Sequence, residues 1–355
     1  MPEPDAPLPL PEATVADLHE IDLDDTDLDD LDRRVDVAVH LDPSDWSTHL
    51  ADETARGLQD RPPWIPPVWF YDEVGSKLFD HITRLPEYYP TEAERSILRD
   101  RAADIARLTS SPTLIELGSG TSDKTMLLLD ALAAAGSLRT VAPFDVSEEV
   151  LRAASRTIAA TFPGVEVKAV VGDFHRHLDH VPTGDGAVLA FLGSTIGNLD
   201  PDQRRAFLAG AADSLSDDDW FLLGTDLVKP VDRLLAAYDD AAGVTAAFNL
   251  NALDVMNREL GADFDRSRFR HRAHWDDEGE RIEMHLVADG DQSVILGRLD
   301  ELVIDLRDGE HVRTEISTKF TPDGVERELT DAGLEVVERW TDDAGDFLLT
   351  LARPA

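Results

Sequence analysis

Between residues 113 and 225 short apolar runs alternate with helix-patterned stretches, and that alternation restricts the chain to a mostly parallel, doubly wound α/β sheet. The candidate strands are 113–117, 139–144, 165–171, 186–192 and 219–225, and the candidate helices are 122–135, 147–161 and 201–214. Just upstream, "PTEAERSILRDRAADIARL" predicts another helix. Thr91 and Glu94 supply a T-x-x-E capping box, and Ile97, Leu98, Ile105 and Leu108 form an apolar stripe. The alternation stops at Pro230. About thirty helix-patterned residues follow, interrupted near Gly243, and 264–320 then read as antiparallel strands. The C-terminal stretch reads helix, strand, strand.

A chain of 355 residues, 42 % hydrophobic, holds one large domain or two ordinary ones and buries a sizeable core. With no cysteine it has no disulfide framework, thiolate chemistry or cysteine-based zinc site. No apolar run approaches the ~18 residues of a membrane span. "MPEPDAPLPLPEATV" has neither a basic start nor an apolar stretch of the secretory type, so a soluble cytoplasmic protein is expected. The net charge of −39 speaks against nucleic acid, whose phosphates need a basic footprint. Only five of the 33 basic residues are lysines. A surface this acidic is expected to be salt-adapted, since concentrated salt screens its self-repulsion. Residues 1–45 are the compositional outlier. "LHEIDLDDTDLDDLDRR" has too few apolar positions to anchor a core, so an acidic, largely disordered segment is expected, at least to about residue 33. In "RPPWIPP" four prolines block a regular helix, and a helical pattern resumes from Asp72.

The first strand runs into "TLIELGSGTSDKT". A Walker A loop needs G-x-x-x-x-G-K-[ST], and no glycine stands correctly before Lys124. A dinucleotide fingerprint needs a third glycine where Asp123 stands. The next strand ends settle the matter, because doubly wound folds bind ligands beyond the carboxyl ends of their strands. Asp145 ends the second strand, placed to accept from ribose hydroxyls. Asp173 ends the third, placed for an adenine amino group, with Phe174 beside the ring. Glycine turn, ribose acid and adenine acid form the order expected for S-adenosylmethionine.

The motifs "VWFYDEVGSKLFDHITRLPEYYPTEAE", "IELGSGTSDKT", "FLGSTIGNL", "LLGTDLVK", "AYDDAAGVTAAFN", "ERIEMHL" and "TEISTKF" resemble those of the histidine Nα-methyltransferases of ergothioneine biosynthesis, from about Pro67 to the C-terminus. The resemblance implies a Rossmann-like class I methyltransferase domain, 91–227 plus 319–355. It adds an α+β substrate-binding domain made of an N-terminal part, 46–90, and a central insertion, 228–318. It implies three methyl transfers from S-adenosylmethionine to the α-amine of L-histidine, giving hercynine, in a protein expected to be a monomer without a metal. It assigns Gly118, Lys124, Asp145, Asp173 and Phe174 to the cofactor, Lys124 reaching the methionyl carboxylate or orienting the loop. Asn198 and Tyr238 match residues that hold the amino-acid end, with Tyr88 nearby. Tyr71 matches a tyrosine beside the reacting amine, and Phe79 and the Gly193 backbone match the pocket wall. Glu315 and Ser317 match the pair that bonds the imidazole, and Met284 an apolar wall of the same pocket. Two apart on a strand, Glu315 and Ser317 face one side. The faces of Tyr71 and Phe79 suit a trimethylammonium product, which donates no hydrogen bond and is held by cation–π contact.

Three other readings compete. A methyltransferase for another amino acid such as tryptophan would have no use for the acid–hydroxyl pair. A nicotinamide-dependent oxidoreductase needs the missing glycine and a proton-transfer motif. A non-catalytic S-adenosylmethionine sensor would not need a complete substrate pocket. The charge itself gives a test. If the surface is salt-adapted, the melting temperature rises steeply from low to molar KCl, and a flat thermal-shift series over that range removes the salt-adapted reading.

Overall fold

The computed structural model describes residues 33–41, 43–120 and 124–355. What the sequence suggests for residues 1–32, and for Ser122 and Asp123 as a helix start, lies outside the described residues. The chain opens with β1 (Val35–Val39) and α1 (Pro43–Gln59), then a 3-10 turn at Pro67–Phe70, α2 (Glu73–Ile82) and α3 (Tyr89–Thr109). The alternating part follows as β2 (Thr113–Leu117), α4 (Thr125–Ala134), β3 (Thr140–Asp145), α5 (Glu148–Thr161), β4 (Glu166–Val171), β5 (Val188–Phe191), α6 (Pro201–Ser214) and β6 (Trp220–Asp226). The strands lie within a residue or two of the expected positions, as do α5 and α6, and α4 begins at Thr125, inside the expected 122–135. The central strands β5 and β6 are nearly continuous apolar runs because helices cover both faces of a parallel sheet, whereas β4, nearer the edge, exposes Glu166 and Lys168.

The sheet order is β1-β4-β3-β2-β5-β6-β13-β12, with β13 (Phe347–Pro354) antiparallel to both β6 and β12 (Leu334–Thr341). Chain order reverses beside β2, so the switch-point crevice lies beyond the ends of β2, β3 and β5. One apolar cluster, including Leu98, Leu129, Leu222 and Leu349, and another, including Phe144, Phe191, Phe207 and Leu348, pack the sheet.

Two expectations need correcting. Residues 35–39 are not part of a disordered segment. They pair in parallel with β4, Val35 against Val167 through Val39 against Val171. The composition argument overlooked that an edge strand is held mainly by backbone bonds and packs one face only. Leu41, Val37 and Trp46 supply that face, against Leu151, Ala169 and Val171. The capping box at Thr91 and Glu94 is also absent. Helix α3 begins at Tyr89 with Pro90 in its first turn, which makes Thr91 its third residue and carries Glu94 a turn further in, fully buried.

After β6 the chain builds α7 (Val231–Tyr238), α8 (Val244–Leu260), β7 (Phe269–Asp276), β8 (Arg281–Ala288), β9 (Gln292–Leu296), β10 (Leu302–Leu306) and β11 (His311–Thr318), and α9 (Pro322–Asp331) returns it to the sheet. The break expected near Gly243 separates α7 from α8. There the Asp240 carboxylate accepts from the Val244 and Thr245 N–H groups at 3.0 and 2.7 Å, satisfying orphan donors of α8. Strands β11, β8 and β7 form an antiparallel sheet and β9 and β10 a hairpin. Phe70, Tyr89, Tyr238, Phe248, Met284 and Leu286 share one apolar cluster, so the N-terminal helices and the insertion bury their faces against each other. Among the described residues no helix is long and apolar enough to cross a membrane.

Deleting the chain through Leu41 bares the β4 edge and removes the Leu41 side chain, which is 8 % exposed. The truncated protein should lose about 2–5 kcal/mol, the usual cost of an emptied leucine site. Denaturant unfolding measures it, and an unchanged midpoint would show that β1 contributes nothing.

Candidate active site

The turn after β2 takes its shape from Gly118 and Gly120, at φ +65° and +48°, where a side chain would be strained. Among the described residues no atom beyond each glycine's chain neighbours lies within 4 Å of where a Cβ would stand on either residue. Asp145, at the end of β3, ties the turn down. One carboxylate oxygen accepts from the Gly120 N–H at 3.0 Å and the other from the Ser147 N–H at 2.9 Å. Burial raises its pKa against those N–H groups, and each oxygen keeps a lone pair for a further donor. At the next strand end Asp173 is buried and accepts from the His175 N–H at 2.9 Å. Phe174 lies edge-on to Phe191 and Phe207, ring centres 5.3 and 5.6 Å away.

Lys124 is paired with the Glu94 carboxylate, which also accepts from the Gly193 N–H at 2.9 and 3.0 Å. Glu94 therefore fixes the loop after β5 to the helix that follows the glycine turn. A Cβ on Gly224 would run into this carboxylate, so a glycine in β6 makes its room. Sequence reasoning had spent Glu94 on a helix cap.

A chain of aromatic rings joins the N-terminal segment to α7 and α8. Tyr71 meets Phe79 and Phe248 at ring-centre distances of 5.9 and 5.8 Å, Phe79 meets Tyr88 at 6.3 Å, and Tyr88 meets Tyr238 at 6.1 Å. Tyr71 is 46 % accessible, yet protein atoms crowd around it and raise its pKa well above the usual value. Both observations fit a side chain whose accessible face lines a concave space. After burial, the groups that raise Tyr71 are Glu315, Tyr88, Asp145 and Tyr238, so all four lie near it. Glu315 and Ser317 lie on the same side of β11, Met284 pairs with Glu315 from β8, and the Tyr238 and Ser317 hydroxyls are 2.8 Å apart. Asn198 ends the 3-10 turn at Thr195–Asn198, which packs on β11 where Gly197 lacks the Cβ that would crowd Thr318.

Among the described residues the side chains of Tyr71, Tyr88, Asn198 and Glu315 make no hydrogen bond. Polar groups left open in this way await a ligand. The sequence reading also passed over a buried cluster. Asp226, at the end of β6, accepts from the Tyr89 hydroxyl at 2.8 and 3.0 Å and pairs with Lys229 and Lys319. Together with Lys124 in its separate pair with Glu94, three of the chain's five lysines are drawn into the interior, a concentration that could have flagged them. Among the described residues no group of three or more His, Asp or Glu could hold a metal ion.

Residues 50–354 match the family described as histidine-specific methyltransferase, SAM-dependent. The chain belongs to that family. It is 54 % identical to the histidine N-alpha-methyltransferase of Mycobacterium tuberculosis, over 90 % of this chain and 99 % of that protein. It is 32 % identical to ergothioneine biosynthesis protein 1 of Neurospora crassa, over 83 % of this chain but 34 % of that protein. It is 27 % identical to a 4-dimethylallyltryptophan N-methyltransferase of Penicillium roqueforti, over 85 % of this chain and 93 % of that protein. This histidine-specific methyltransferase uses S-adenosylmethionine, on a Rossmann-like α/β sheet.

Burial raises the Glu315 carboxyl of this methyltransferase from 4.5 to about 7, against the pull of the Lys319 ammonium. A raised carboxyl favours the fold while protonated. That contribution is complete below the unfolded value and is lost as pH rises through the folded one. Glu315→Gln removes the titration. The ligand-free variant should therefore gain stability over the parent between about pH 5 and about pH 8, by up to about 3 kcal/mol at the alkaline end. Thermal melts at the two pH values decide, and a pH-independent difference would refute the burial of this carboxyl.

Proposed function

We propose that the chain transfers three methyl groups from S-adenosylmethionine to the α-amine of L-histidine, giving hercynine for ergothioneine biosynthesis. The observation that carries this reading is the buried, unpartnered Glu315 carboxyl, on the same side of β11 as Ser317 and near enough to Tyr71 and Tyr88 to raise both hydroxyls. The name of the mycobacterial relative supports methylation at the α-nitrogen of histidine, and that of the Neurospora relative supports the pathway.

The glycine turn at Gly118 and Gly120, the spare lone pairs of Asp145 and the buried Asp173 beside Phe174 suit a nucleoside with a charged tail. When bound, S-adenosylmethionine supplies an electrophilic methyl on sulfur. The protein's task is to hold the neutral amine in line with that methyl and to exclude water. The amine, with a pKa near 8, loses its proton to solvent without a strong base. Asn198, Tyr88 and Tyr238 take the amino-acid end, and Glu315 and Ser317 take the ring. Tyr71 and Phe79 present aromatic faces to the nitrogen, which suits zero, one, two and then three methyls because a ring face needs no N–H donor. Met284 closes the ring pocket on its apolar side. Every residue assigned to the pocket comes from one chain, and on this reading the enzyme works as a monomer, in the cytoplasm, on a free amino acid.

Mass spectrometry of histidine incubated with the protein and S-adenosylmethionine should show the trimethylated product, and unmodified histidine would overturn the reading. Glu315→Ala should cost about 2–4 kcal/mol in kcat/KM for histidine, because it leaves a ring N–H unpaired in a closed pocket. The loss for tryptophan, which has no use for the acceptor, should be much smaller. Equal losses would reopen the substrate assignment.

A further inference from the structure

Lys319 follows β11 by one residue and continues the face that carries Glu315 and Ser317. Its side chain is completely buried, and its ammonium has three donors and no acceptor. All three donors are spent. They reach the Asp226 carboxylate at 2.8 Å, the Tyr238 hydroxyl at 2.9 Å and the Ser317 hydroxyl at 2.8 Å. These acceptors come from three separate places: Asp226 from the end of β6, Tyr238 from α7 and Ser317 from β11. The hydroxyls of Tyr238 and Ser317, themselves 2.8 Å apart, complete a closed triangle with the ammonium. Burying a cation at this depth is costly, and a leucine or methionine would fill the space without that cost. What a hydrophobic residue could not do is hold two hydroxyls at a set separation and tie both to the sheet.

We propose that Lys319 is the positioning residue of the pocket. It clamps Ser317 and Tyr238 to Asp226, so that the group reading the imidazole and the group holding the amino-acid end stand at a fixed distance. The pocket thereby measures side-chain length. This rests on the assignment of Ser317 to the ring and Tyr238 to the amino-acid end given above. Because Asp226 belongs to the sheet that carries the cofactor crevice, the same clamp sets where the amine stands relative to the transferred methyl. Lys319 touches neither substrate nor cofactor in this role. It acts through the two hydroxyls, and through Asp226, which keeps Tyr89 and Lys229 as further partners.

The test compares L-histidine with L-homohistidine, one methylene longer, as kcat and KM in the same assay. The parent enzyme should prefer histidine by at least about tenfold, the value of a misplaced methylene. Lys319→Cys should lower kcat/KM for histidine by about 100-fold, the cost of a displaced reacting group, and lower it far less for homohistidine. The KM for S-adenosylmethionine should stay within about twofold, since Lys124 and Glu94 form a separate pair. The chain has no other cysteine, so alkylating the unfolded variant with 2-bromoethylamine and refolding it restores an ammonium at nearly the same length. Histidine preference should return. A purely structural role predicts equal losses for both substrates and no recovery of preference. If Lys319→Cys does not refold, Asp226→Asn keeps the size of the anchor and removes its charge, and it should narrow the same preference. An unchanged histidine-to-homohistidine ratio in the folded variant, or no preference in the parent, overturns the proposal. A parent enzyme that methylates neither amino acid overturns the functional reading instead.

Discussion

The carboxylate of Asp226 lies where the sheet ends and the inserted lobe begins, and five other side chains take their positions from it directly or at one remove. Tyr89 reaches it from α3, Lys229 from the segment leading into α7, and Lys319 from beyond β11. Through Lys319 the attachment extends to Tyr238 and Ser317. A buried carboxylate with two lysines is a poor source of net stability, since desolvating three charges costs about as much as their attraction returns. Its worth lies in geometry, because hydrogen bonds fix distances that apolar contacts leave loose. Burial pulls the Lys229 ammonium toward its neutral form while Asp226 holds the proton on, so each charge in the cluster depends on its neighbour.

Glu94 does comparable work on the cofactor side. It joins the first turns of α3, the loop after β5 and the residue preceding α4, and it occupies space that Gly224 leaves in β6. Two buried carboxylates thus organise the two halves of one crevice, and the open polar groups of Tyr71, Tyr88, Asn198 and Glu315 lie between them. Removing either carboxylate would strand a lysine in the interior, the costly half of breaking a buried pair.

The strand 188–191, Val-Leu-Ala-Phe, was legible because a parallel strand covered on both faces leaves an unbroken apolar run in the sequence. The places of Asp145, at the end of β3, and Asp173, just past β4, were legible because the alternation of strands and helices fixes where the strands end. Glu94 was misread because T-x-x-E satisfies a local rule, while its actual partner Gly193 lies 99 residues away. The strand "VDVAV" was lost in the acidic composition around it, since pairing with β4 is a property of β4's free edge and not of the segment. The clamp at Lys319 joins β6, α7 and β11, and no sequence window contains all three. Glu315 and Ser317 stood out through family resemblance, for their spacing on a strand says only that they share a face.

The lysines divide into two populations. Lys77 and Lys168 keep 61 % and 49 % of their side chains in solvent, whereas Lys124, Lys229 and Lys319 keep 21 %, 4 % and 0 %. Each interior lysine is matched within the interior, so the fields of these pairs close over a few ångströms, where dissolved ions screen them little. The exterior can therefore exchange nearly all its ammonium groups for carboxylates while the chemistry inside goes on unaltered. Surface charge and interior charge are electrostatically separable in this molecule, so substitutions can rewrite the first without disturbing the second.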